Sequence, residues 1–132
     1  MPLGAKEHWK SDPDQHDYPA AHDYLSLSLS EAHATKAVEA LKQAPLTRRK
    51  AKDLLRASGL TPLPNTNVHV AKDIDRVHNG QLLSPVLLVR GEASRGAPLV
   101  IADGYHRICA SYFLDEDADI PCRLVDHPAL GP

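Results

Sequence analysis

The chain has 132 residues, 42% of them hydrophobic, with 15 Lys/Arg against 17 Asp/Glu. That length suits one domain with a sizeable core, and the composition excludes global disorder. A net charge of −2 excludes binding nucleic acid through bulk positive charge, and one Trp, four Tyr and one Phe are too few for a broad base-stacking platform.

No apolar run approaches the roughly 20 residues of a membrane span, and the N-terminal sequence MPLGAKEHWKSDPDQHD lacks the apolar centre of a secretion signal. The expectation is a cytoplasmic protein with no membrane partner and two reduced thiols, Cys109 and Cys122, in its core. The oligomeric state is left open.

Residues 1–23 read as a tail, because Pro13 and Pro19 interrupt regular structure, with Trp9, Tyr18 or Tyr24 able to pack. Tyr24 to Leu29 alternates apolar and polar, as a short strand or an extended lead-in to a helix would. Ser30 can cap a helix with Glu31 in its first turn, and Ala34, Ala37, Val38 and Leu41 form its apolar stripe. Pro45 ends it. Thr47 is expected to cap a second helix through Ser58, with Ala51, Leu54 and Leu55 inward and Gly59 as its stop. Residues 24–60 thus read as a helical hairpin extending the domain.

Residues 61–67 are a linker by composition. Residues 61–132 read as an α/β (α+β) core with a small mixed sheet, the whole chain making one compact domain. Val68-His69-Val70 is a short strand candidate. Lys72 to His78 is a helix stopped at Asn79-Gly80, and Val86 to Val89 is a buried strand. Gly91 to Pro98 is turn-rich, and Leu99 to Ala102 is a second buried strand. Asp103-Gly104 breaks it before a helix from Tyr105 to Leu114, with Ile108, Cys109, Tyr112 and Phe113 inward. Ile120 to Val125 closes the chain as a strand.

Chemistry concentrates at Asp103-Gly104-Tyr105-His106-Arg107, where a buried strand passes straight into a helix. The first N–H groups of a helix lack intrahelical partners, and its dipole adds positive charge there. Such an end is a natural phosphate site. Gly104 permits a positive φ or close approach. Arg107 offers a fork of donors, and His106 a donor or a titrating group. Basic side chains oppose the dipole at this end, a conflict that a bound anion would resolve. The alternative is structural: Asp103 caps the helix, and Arg107 pairs with Asp115-Glu116-Asp117 or Asp126.

The run from Asp103 to Arg107, Ala110 in the helix, the closing Ile120-Pro121-Cys122-Arg123-Leu124-Val125 and the preceding Ser84-Pro85-Val86-Leu87-Leu88-Val89 together resemble the ParB/sulfiredoxin superfamily, over about residues 67–126. The resemblance implies a nucleotide- or phosphate-binding protein using Gly104, His106 and Arg107. Lys72, where sulfiredoxins carry a lysine, and Arg76 one turn on would reach the same anion, although both also read as solvated surface residues. Sulfiredoxin activity is excluded, because Tyr105 stands where that chemistry needs a cysteine thiolate. ParB proper has Glu-Arg-Arg where this chain has Tyr105-His106-Arg107. A kinase branch carries an Asp-Gly-His motif similar to Asp103-Gly104. If this chain is an enzyme, the resemblance therefore implies a nucleotide-dependent phosphotransferase or phosphohydrolase. ATP or another nucleotide with Mg²⁺ would be its cofactor. Asp103 would be a Mg²⁺ ligand or a base, and His106 a second catalytic candidate.

The other class is a non-enzymatic protein- or DNA-binding module that keeps the fold without nucleotide chemistry. Between Ser30 and Leu60 seven Lys/Arg face three Asp/Glu, and Arg48, Arg49, Lys50, Lys52 and Arg56 would form the nucleic-acid face of the second helix. Eight histidines include His16, His22, His69 and His78, but none has zinc-site spacing. No zinc, haem or flavin is expected.

Overall fold

The chain alternates helices and strands in a way that lets both faces of one sheet be covered. The computed structural model describes residues 8–129; residues 1–7 of the expected tail and the last three residues lie outside them. In chain order the elements are α1 (Asp17–Leu25), α2 (Glu31–Gln43), β1 (Leu46–Lys50), α3 (Ala51–Ser58), α4 (Val68–His78), β2 (Val86–Val89), β3 (Val100–Asp103), α5 (Tyr105–Leu114) and β4 (Asp119–Val125).

The sheet is mixed, in the order β1-β4-β2-β3. β4 runs parallel to β2 and antiparallel to β1, and β2 runs antiparallel to β3. The continuous apolar run of β2 follows from burial on both faces. Val86 and Leu88 join Ile101, Ile120 and Cys122 in a cluster with residues of α3, α4 and α5. Leu87 and Val89 join Ala102 in a second cluster with Tyr18, Ala21 and Leu25 of α1 and Ala34, Ala37, Val38 and Leu41 of α2. The period of two along the strands thus separates the two cores.

The small α/β architecture, the stripe of α2, its Ser30 cap, β2, α5 and β4 match the sequence expectation. Ser30 Oγ accepts from His33 N at 3.1 Å. Five readings need correction. The segment 17–25 is helical, since Pro19 sits in the first turn of α1, where its missing N–H is not needed. Tyr24 to Leu29 is neither strand nor extended lead-in: it completes α1 and turns, leaving Leu25 buried and Leu27 83% exposed.

The helical hairpin is interrupted. Residues 46–50 pair in unbroken register with β4, so the helix begins at Ala51 instead of after a Thr47 cap. Cross-strand pairing overrides the local reading here, with Thr47 Oγ1 lying 3.6 Å from the buried Cys122 thiol. Val68-His69-Val70 is the first turn of α4, because Asn67 Oδ1 accepts from His69 N at 3.0 Å and Val70 N at 3.2 Å. On α5, Phe113 is 54% exposed, and Ala110 and Ser111 take the inward positions beside Ile108 and Cys109.

Candidate functional site

β3 delivers Asp103 to the end of the sheet, and Gly104 turns the chain into α5 with φ +110°. A Cβ at Gly104 would stand 2.4 Å from Val86 Cγ1, so glycine is required by the approach of β2 as well as by its φ. No side chain caps α5. This end opens into a cleft of about 830 Å³ walled by the segment Lys10–Asp17, by α4 and by the start of α5. Asp103, Gly104, His106, Arg107, Lys72 and Arg76 all line it. Residues from two separate stretches of sequence are thereby brought together.

Their states differ from the expectation. The Arg107 guanidinium is spent inside the protein. Its Nη2 donates to Asp103 Oδ2 at 2.5 Å, and its Nη1 donates to Ser84 O at 2.6 Å and Asp17 Oδ2 at 3.2 Å. Its side chain is only 13% exposed. Neither structural partner expected for it is used: Asp117 pairs with Lys52 at 2.6 Å and Asp126 with Arg90 at 3.1 Å. Asp103 does not cap α5 but reaches one turn along it. The helix start therefore presents its backbone, with the guanidinium neutralised behind it.

Arg76 is likewise engaged, at 2.8 Å from the buried carboxylate of Asp73. Lys72 is exposed and makes no ion pair among the described residues. His106 is half-buried, its ring centroid 4.8 Å from that of His69. Burial first, then the neighbouring His69, holds its imidazole below the ordinary value, which leaves it neutral at pH 7. The Asp103 carboxyl is pushed up to about 6 by burial, with the Asp17 carboxylate adding to the effect against Arg107. Tyr105 turns away from the cleft and donates its hydroxyl to Thr61 O. Cys109 is buried, and burial pushes its thiol up, which disfavours a thiolate there.

Three participants escape a sequence reading. Asp17 is buried and accepts from Ser84 Oγ as well as Arg107. Ser84 Oγ also accepts from Asp14 N at 2.9 Å. Asp14 pairs with Lys10 at 2.8 Å, and that hydrogen bond holds its carboxyl below the ordinary value. The one available signal was the spacing of Tyr18, Ala21 and Leu25, a helical stripe that would have put Asp17 on an ordered element. Asp14, His16 and Asp17 also bring ligand-type atoms within 4.8 Å of one another.

The basic residues assigned to one helical face are divided. Arg48, Arg49 and Lys50 lie on β1, whereas Lys52 and Arg56 lie on α3 and pair with Asp117 and Asp53. No helix of the described residues is long and apolar enough to cross a membrane. No protein family, curated protein or solved structure matches the chain.

Proposed function

We propose that the protein binds a nucleotide or another small phosphorylated molecule in this cleft, as the ParB/sulfiredoxin resemblance implies. The observation that carries the reading is convergence. Lys72 on α4 and His106 at the start of α5 line the same cleft, beside a helix N-terminus that no side chain caps. The phosphate oxygens take the first N–H groups of α5 and the Lys72 ammonium. Arg107 acts from behind as the clamp that fixes Asp103 and the helix start.

Asp103 does not suit a Mg²⁺ ligand, since the guanidinium 2.5 Å from its Oδ2 repels a second cation. It suits a proton acceptor: a carboxyl pushed up to about 6 is ionised at pH 7 yet far more basic than an ordinary aspartate. In a phosphoryl transfer it would take the proton of the acceptor hydroxyl as that oxygen bonds to phosphorus and the nucleoside diphosphate leaves.

The second reading, a module without nucleotide chemistry, is favoured by the internal neutralisation of Arg107. A thermal-shift series with ATP, ADP, CTP, GTP and pyrophosphate, with and without Mg²⁺, separates the two. A ligand at 100 times its Kd stabilises the fold by about 2.7 kcal/mol, and Lys72→Ala should abolish that shift without altering the unliganded melting temperature. No shift with any of the five leaves the module reading.

A further inference from the structure

Apart from the cleft, the sheet presents an edge at β1. β1 is an end strand of the sheet, paired with β4 on one side only. Among the described residues no other backbone hydrogen bond engages positions 46–50. Its register with β4 runs through all five residues without a bulge, and Arg48, Arg49 and Lys50 are exposed. At the other end of the sheet β3 has only four residues, and Ile101 and Ala102 at its centre are buried.

The charges beside β1 are unevenly satisfied. Lys50 pairs with Asp119 at 3.7 Å, Lys52 with Asp117 at 2.6 Å and Arg56 with Asp53 at 3.7 Å. The side chains of Arg48 and Arg49 have no hydrogen bond or ion pair among the described residues. Successive side chains on a strand point to opposite faces. Arg49, like Thr47, therefore lies on the side of Cys122, and Arg48 on the side of α2. Among the described residues the outer backbone edge is free and is flanked by one unpaired guanidinium on each face, in a chain whose net charge is −2.

We propose that β1 is a docking edge for an extended acidic segment of a partner protein, added as a fifth strand beside β1. The backbone supplies the ladder, and two consecutive carboxylates of the partner, pointing to opposite faces, meet Arg48 and Arg49. A second copy of this chain is a poor occupant: antiparallel self-pairing centred on these residues sets arginine against arginine. A nucleic-acid backbone would use the charge but not the ladder.

The test uses the full chain and a fluorescent octapeptide of Val and Thr around a central Glu-Glu pair, with binding read by anisotropy and the amides of residues 46–50 by hydrogen exchange. The peptide should bind and slow exchange at β1. Arg48→Ala/Arg49→Ala should weaken it at least tenfold while leaving the far-UV spectrum unchanged, and a Gln-Gln peptide should weaken to a similar extent. A peptide N-methylated at alternate residues should not bind. Equal affinity for the N-methylated peptide, indifference to the double substitution, tighter binding of a duplex oligonucleotide at the same salt, or protection of β1 through concentration-dependent self-association would each overturn the proposal.

Discussion

Arg107→Ala is the substitution whose effect the structure specifies most fully. The guanidinium is 13% exposed and holds Asp103, at 19%, and Asp17, at 7%, together with the Ser84 carbonyl. Removing it leaves two carboxylates in one shielded site with no cation between them. Breaking a buried pair by deleting one partner costs about 3–5 kcal/mol, and for a chain of this length that corresponds to a fall in Tm of roughly 10–20 °C. The cost is electrostatic in origin, so it must depend on pH. Arg107 lowers the Asp103 carboxyl, so in the variant it stands above the wild-type value of about 6 and takes up a proton more readily as pH falls, which relieves the uncompensated charge. Urea unfolding followed by circular dichroism should give a loss of about 3–5 kcal/mol at pH 7 and less than half of it at pH 4.5. Arg107→Lys, which keeps the charge but not the fork, should fall between the two proteins. A loss below about 1 kcal/mol at pH 7, or an equal loss at both pH values, would show that the cluster is not held by the guanidinium.

Asp103 itself makes a pH prediction. Its folded value of about 6 lies above the ordinary 3.8, so the folded state binds its proton more tightly. The stability this contributes is full below about pH 4 and is lost as pH rises through 6. The difference in urea midpoint between wild type and Asp103→Asn should change across that window, and a constant difference would contradict it. Gly104→Ala should lose at least about 2 kcal/mol, because the new Cβ meets Val86 Cγ1 at 2.4 Å and the φ of +110° is strained for any other residue; an unchanged denaturation midpoint would refute this. Asn67→Ala should lose about 1 kcal/mol with the α4 cap, visible as a lower Tm and faster amide exchange at His69 and Val70.

The elements that could be read from the sequence were those whose local and tertiary demands agree. Val86 to Val89 is apolar throughout because both faces are covered, and Tyr105 to Leu114 is bounded by Gly104 and an acidic turn. What could not be read was set by partners far along the chain. Leu46–Lys50 resembles the start of a basic helix until β4, 69 to 77 residues on, pairs with it. The same division runs through the site. Asp103, Gly104, His106 and Arg107 stand out by their order, whereas Lys72 and Arg76 enter only through the family resemblance. Asp17 stands in a stretch of Asp, His and Pro, and nothing local indicates that its carboxylate closes on Arg107 ninety residues away.

That closure bears on the proposed phosphate reading. A helix start with a free arginine would attract any phosphate by charge. Here four carboxylates (Asp14, Asp17, Asp73 and Asp103) face four cations (Lys10, Lys72, Arg76 and Arg107) around one cleft, so attraction from a distance is weak. On the proposed phosphate reading, selection then rests on geometry close to α5, where Lys72 lines the same cleft as the helix start. The wall that shapes this geometry includes the segment Lys10–Asp17, tied down at Leu83 by Lys10 N, at Ser84 by Asp14 N and at Arg107 by Asp17. Cleft and N-terminal segment therefore share their anchoring residues, and any ligand that stabilises one must slow the opening of the other.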